Sequence, residues 1–142
     1  LFNKDQSELL LCPAGKSGIY TSPNSVTRIG DYAFAWCTDL TGIVIPEGVT
    51  NIGFASFFSC MGLSSITIPA SVSSIDDWTF CQCYNLSALY FLGNAPLLGG
   101  RDLFFNDNVN RIVAYYLPGT TGWEEFTAVT GVPAVLWAPC RF

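Results

Sequence analysis

The chain has no histidine, one methionine and few charges: six Lys and Arg and eleven Asp and Glu in 142 residues. Without histidine, the commonest general base, proton shuttle and metal ligand is missing, so most hydrolytic and zinc chemistry loses its usual side chain. A net charge of −5 offers no basic footprint for a phosphate backbone or an anionic membrane surface, and no nucleic-acid partner is expected. Residues 48–75 carry no charge at all, but they include Asn51, Pro69 and several serines. Nowhere do 18 consecutive apolar residues occur, so no membrane insertion is expected. The sequence opens at Leu1 without a basic and then apolar leader, which reads as a signal peptide absent or already removed.

What the chain has in abundance is apolar surface. Half of it is hydrophobic and 15% is aromatic, so it must fold or aggregate, and its length suits one domain with a sizeable core. The order lies in a repeat. Residues 24–46, 47–69 and 70–92 superimpose at a period of 23 with no insertion. Val26, Val49 and Val72 form one column, Ile29, Ile52 and Ile75 the next, then Phe34, Phe57 and Phe80, then Cys37, Cys60 and Cys83, then Leu40, Leu63 and Leu86. Ile43, Ile66 and Leu89, with Ile45, Ile68 and Phe91, complete the set.

In each unit the pattern Leu40-x-x-Ile43-x-Ile45 alternates as a short strand with one buried face, and Pro46 ends it because proline has no N–H to donate. The rest of the unit turns the chain back, so copies stack about 4.8 Å apart as parallel strands and complete one another's core. The pattern predicts a mainly β solenoid, with turns and short helical segments on the other side. Upstream, Tyr20-Thr21-Ser22-Pro23 supplies a further strand with Ser22 at an apolar position. Downstream, Tyr115-Tyr116-Leu117-Pro118 aligns with Ile43-Val44-Ile45-Pro46 after a coil lengthened to 26 residues. Residues 1–142 therefore read as a single repeat domain: 1–23 as N-terminal flank and first strand, 24–92 as three strict repeats, and 93–142 as a degenerate repeat and C-terminal cap.

The segment Ile29-Gly30-Asp31-Tyr32-Ala33-Phe34-Ala35-Trp36-Cys37 reproduces I-G-x-x-A-F-x-x-C. With L-x-x-I-x-I-P and V-x-x-I around it, the chain resembles the BspA-like (Treponema-type) leucine-rich repeat over roughly residues 1–123. The resemblance implies a leucine-rich-repeat solenoid of bacterial surface or secreted proteins, often associated with adhesion to host proteins or other cells. It carries no enzymatic activity and no catalytic residue. Asp76 replaces the glycine of the third unit, and Ser56 and Thr79 replace the alanine of the second and third, substitutions the fold is expected to absorb.

Candidate chemistry is sparse. The cysteine column 37/60/83 reads as small buried thiols, because no histidine accompanies it and stacked side chains point alongside one another. Cys81 shares a column with Ala35 and Phe58, and Cys12 and Cys140 lie near opposite ends of the solenoid, too far apart for a bond. The pairs Asp76-Asp77 and Glu124-Glu125 have no partner base and read as solvated. Residues 106–110 offer oxygens, but they lack the glycine and distal glutamate of a calcium loop. Asn85-Leu86-Ser87 fits a glycosylation sequon around a core leucine and reads as ordinary structure. No catalytic, cofactor or metal site is expected.

Partner-binding residues are expected on two surfaces. Trp36 shares a column with Ser59 and Gln82, and Trp78 with Tyr32 and Ala55, which places exposed aromatics on the turns. On the outward strand face, Thr21, Val44, Thr67, Tyr90 and Tyr116 form a column among small neutral neighbours such as Thr41, Ser64 and Ser87. Three readings follow: a non-enzymatic protein-binding or adhesion module, extracellular or at a cell surface; a structural, self-associating unit; or a glycan-binding surface using Tyr90 and Tyr116.

Overall fold

The computed structural model describes residues 1–105 and 109–138. The oxygen-rich segment 106–110, read as lacking a calcium loop's glycine and glutamate, falls mostly outside them, as does Cys140. Each strict unit is one coil, and each coil is fixed by the same local events. The proline that ends a strand gives its carbonyl to the valine three residues on: Val26 N–H to Pro23 O, Val49 to Pro46 and Val72 to Pro69, at 3.1–3.2 Å. That turn drops the valine into the core and starts a two-residue strand.

Two sets of parallel strands result. The short strands β1 (Glu8–Leu9), β3 (Arg28–Ile29), β5 (Asn51–Ile52), β7 (Ser74–Ile75) and β9 (Leu97–Leu98) form a five-stranded sheet in that order. The longer strands form two ladders, β2 (Gly18–Thr21) with β4 (Leu40–Val44), and β6 (Ser65–Ile68), β8 (Ala88–Phe91), β10 (Val113–Tyr116) and β11 (Ala134–Leu136). The five-stranded sheet is an addition to the expected architecture. Its strands are too short to carry an alternating pattern, and only the register of Ile29, Ile52, Ile75 and Leu98 marks them.

The third side of each coil is turn, not helix. Alternate residues donate to the following coil: Tyr32 N–H to Phe54 O, Phe34 to Ser56, Trp36 to Phe58, then Ala55 to Asp77, Phe57 to Thr79 and Ser59 to Cys81, at 2.7–3.0 Å. The close approach of these coils explains the glycine column, since a Cβ at Gly53 would come within 2.9 Å of the Gly30 carbonyl carbon. Among the described residues, helical structure is confined to a 3-10 turn at Val109–Arg111 and one helix, α1 (Trp123–Thr130). Gly131 closes α1 in the left-handed conformation and donates its N–H to Thr127 O.

The core is the stack of columns. Phe34, Phe57, Phe80 and Phe104 lie ring on ring at 5.1, 5.7 and 5.6 Å, and the first three have no exposed surface. Full burial of each such ring is worth about 3 kcal/mol. The cysteine column has a bonding role as well as a packing one. Cys60 Sγ lies 3.1 Å from Phe34 O, and Cys83 Sγ lies 3.1 Å from Phe57 O, so each thiol ties its coil to the turn before it. Cys12, Cys37 and Cys60 are free thiols. Burial, reinforced by neighbouring thiols, pushes Cys37 and Cys60 up to about 12. The departures from the repeat are met differently: the Thr79 hydroxyl donates to Asp76 O at 2.5 Å, with Gly53 O at 3.3 Å, whereas Ser56 is fully buried and its hydroxyl finds no partner among the described residues.

Candidate interaction surfaces

The turn side carries side chains where its geometry favours glycine: among the described residues, six of the seven non-glycine residues with positive φ lie there. Tyr32, Ala55 and Trp78 occupy one column at φ 51–59°, and Trp36, Ser59 and Gln82 the other at φ 57–60°. Each coil therefore needs two left-handed residues, a conformation that costs a side chain roughly 1–2 kcal/mol relative to glycine. Since Ala55, Ser59 and Gln82 share it, the strain belongs to the fold. What the fold does not require is an aromatic ring there, and Tyr32, Trp36 and Trp78 each place one on the turn surface.

Those rings join into a ridge. Tyr32 and Trp36 stack with centroids 6.3 Å apart, and Trp36 meets Phe58 edge-on at 5.5 Å. Tyr32 meets Phe54 at 5.6 Å, Phe54 stacks on Trp78 at 5.9 Å, and Trp78 on Phe105 at 5.4 Å. Trp36 is 56% exposed, Tyr32 43% and Phe105 44%, while Phe54, Phe58 and Trp78 are half-buried. Both sequence-predicted tryptophans thus belong to one array. The column reasoning fails at Ser59, which is buried and hydrogen-bonds to Gln82 Oε1 at 2.8 Å. Phe54 and Phe58 were missed because they share columns with Asp31 and Asp77 and with Ala35 and Cys81, Phe105 because it lies beyond the three strict repeats, and Tyr32 stands in the Trp78 column without being counted as a binding residue.

The strand face holds the second set. Thr21 pairs with Val44, and Thr67 with Tyr90; Thr21, Val44 and Thr67 are exposed, Tyr90 half-buried. Tyr116 does not continue this column. Tyr90 pairs with Tyr115, and Tyr116 pairs with Phe91 and stacks on Trp123 at 5.0 Å on the core side. Aligning Pro118 with Pro46 shifts the register by one residue, and one residue in a strand exchanges the two faces. The coil from Leu89 to its partner Ala114 is 25 residues, shorter than the expected 26. The outward cluster at this end consists of Tyr90, Tyr115 at 5.3 Å and Trp137 at 5.2 Å.

The acidic pairs are structural. Asp77 Oδ1 accepts Asp102 N–H at 2.9 Å, and Glu124 and Glu125 sit exposed in the first turn of α1, where the helix dipole favours negative charge. Asn85 of the sequon donates its amide to Met61 O at 2.6 Å. Among the described residues, no three His, Cys, Asp or Glu side chains cluster to hold a metal, and no helix is long and apolar enough to cross a membrane.

Comparison with curated proteins finds no match. Among solved structures, the chain is similar to a leucine-rich repeat protein from Eubacterium ventriosum, with a TM-score of 0.71 and 24% identity over 96% of this chain. It is also similar to the pneumococcal vaccine antigen PcpA, with a TM-score of 0.59 and 17% identity over 97% of this chain. The chain spans 37% and 46% of those two proteins respectively, and at these identities the likeness concerns the fold. Residues 18–120 match the BspA type leucine-rich repeat region in six copies. Leucine-rich repeats generally act as non-enzymatic scaffolds for protein interactions. Because that match covers well over half of its length, the chain belongs to the BspA-type leucine-rich repeat family.

Proposed function

We propose that this chain is a non-enzymatic protein-binding module, presented at a cell surface or secreted, that adheres to a protein of a host or neighbouring cell. The observation that carries the reading is the aromatic ridge from Trp36 through Tyr32, Phe54 and Trp78 to Phe105, which lies outside the core. Tyrosine and tryptophan anchor interfaces by burying large area with few rotatable bonds, and a small number of such residues dominates binding energy. Thr21, Val44, Thr67 and Tyr90 present a second, uncharged face on the strands, suited to contacts that do not depend on salt.

Fluorescently labelled chain applied to intact host and bacterial cells tests this. Binding removed by protease treatment of the cells, and weakened about 10-fold or more by Trp36→Gly with Trp78→Gly, is the expected result. Glycine suits the left-handed backbone at both positions, so the variants keep the fold. A second reading, glycan binding, is favoured by the Tyr90–Tyr115–Trp137 cluster, whose rings offer a stacking platform for a sugar. Binding removed by glycosidases and by Tyr90→Ala, with the ridge variants unaffected, would replace the protein reading with that one. A third reading, self-association, predicts sedimentation that grows with concentration.

A further inference from the structure

Among the described residues, the five-stranded sheet ends at β9 with no strand on its outer side. In a parallel ladder, successive residues direct their N–H and C=O to alternate sides. Leu97 N–H reaches back to Ser73 O and Gly99 N–H to Ile75 O, both at 2.9 Å, so Leu98 between them turns its own N–H and C=O outward. The described residues beyond β9 pass this edge without supplying a strand to it. Thr121 N–H binds Asn94 Oδ1 at 3.0 Å, Thr121 O accepts Ala95 N–H at 2.9 Å, and α1 begins two residues later. Between the β9 edge and α1 lies a groove of about 570 Å³, lined by Pro96, Leu97 and Leu98 on one side and Val129 on the other. Leu97 is 78% exposed. Arg101 and Glu125 stand in the same lining, and neither joins an ion pair among the described residues.

We propose that this groove binds an extended polypeptide segment of a protein partner, added as a parallel strand to the outer edge of β9. Strand addition draws affinity from main-chain hydrogen bonds and specificity from alternate side chains. The repeat states what such a segment must be. The outer edge of β3 is filled by Val49-x-x-Ile52-Gly53, and that of β5 by Val72-x-x-Ile75-Asp76. With the outer edge of β7 filled by Ala95-x-x-Leu98-Gly99, the partner segment follows Val or Ala, two free positions and Ile or Leu, with Gly or Asp next, and a carboxylate at that last position lies toward Arg101, on the C-terminal side of β9. The corresponding edge strand of a second copy is not the occupant. The outer side of β1 is taken by Phe2, bridged antiparallel to Leu9, and by Asn3, whose N–H and Oδ1 bind Glu8 O and Glu8 N–H.

The probe is a fluorescein-labelled, amidated octapeptide with the sequence of residues 70–77 (ASVSSIDD), titrated with the full chain and followed by anisotropy. Saturable binding is expected. Arg101→Glu weakens it about 5- to 10-fold, and the peptide ASVSSIKK recovers binding to that variant. Leu98→Pro removes the outward N–H and weakens binding; because it also disturbs packing, the main-chain arm rests on the unaltered protein. N-methylation of the seventh peptide residue, which corresponds to Asp76 and whose N–H binds Ile52 O at 2.9 Å in the repeat, weakens binding about 5-fold or more, and N-methylation of the first leaves it unchanged. Trp36→Gly has no effect, which separates this edge from the aromatic ridge. Absence of saturable binding at millimolar peptide overturns the proposal, as does binding indifferent to both the N-methyl group and the Arg101 reversal. A dimer of the chain that Arg101→Glu dissolves overturns it in favour of a second copy.

Discussion

The two ends of the five-stranded sheet are finished in different ways. At β1 the chain doubles back: Phe2 bridges Leu9 antiparallel, Leu10 and Leu11 donate to Leu1 O, and Asn3 caps Glu8 with backbone and side chain. At the far end α1 closes the core, with Trp123 and Phe126 packed on Phe91 at 4.9 and 5.5 Å, but among the described residues the β9 edge has no strand beside it. Burying a solenoid's last apolar layer and satisfying its last row of main-chain groups are thus separate problems. A reversed segment solves both, whereas a helix solves only the first.

The largest expected effect concerns the uniform middle against which both ends are judged. Cys37 and Cys60 are held neutral by burial, with pKa values of about 12 against 9.0 in the unfolded chain. The fold retains protons that the unfolded chain releases, so stability is fully present below pH 9 and is lost as pH rises toward 12. Burial raises Cys12 and Tyr20 as well, and both act in the same direction. Urea unfolding midpoints measured from pH 8 to 11 should fall by several kcal/mol equivalent, and Cys60→Ala should flatten the slope. Alkylation at pH 8 should modify Cys12, near the N-terminal end, before Cys60; equal rates would show that the ends do not fray independently of the middle.

At the helical end, Trp123→Ala removes a 6% exposed indole that contacts Phe91, Tyr116 and Phe126. A loss of about 3–5 kcal/mol is expected in chemical denaturation. Phe2 is only half-buried, so Phe2→Ala should cost less, about 1–2 kcal/mol. Its more telling consequence is topological. It loosens the antiparallel bridge and exposes the β1 edge, and sedimentation should then detect association through that edge in the variant.

These differences bear on what the sequence disclosed. Columns such as Phe34, Phe57 and Phe80 were legible because a buried stack demands similar residues at a fixed period. The ends were not, since each is built once: nothing repetitive marks Phe2 or Asn3. The left-handed positions were hidden because Tyr32, Trp36 and Trp78 stand where glycine or asparagine would have announced them. Tyr116 was misplaced because Pro118 follows its strand one residue later than Pro46 follows β4's register, and a landmark outside the ladder set the alignment. The aromatic ridge was half visible, as two tryptophans without the phenylalanines that connect them.

The smallest effect isolates the reversed segment. Asp5 Oδ1 accepts the Ser7 hydroxyl at 2.6 Å and the Ser7 N–H at 3.2 Å, and these bonds hold its carboxyl below the usual value of 3.8. A depressed carboxylate contributes stability that is present above pH 3.8 and is lost as pH falls through the lower, folded value. The group is fully exposed, so the expected change is local. Hydrogen exchange at Leu10 and Leu11, whose N–H groups bind Leu1 O, should quicken on acidification beyond the intrinsic pH dependence, while the protection of Gly99, bonded to Ile75 at the other end, should not change. Asp5→Asn should remove that difference. If both ends respond alike, the N-terminal reversal is not an independent closure, and the contrast between a sealed and an open edge reduces to one of strand count.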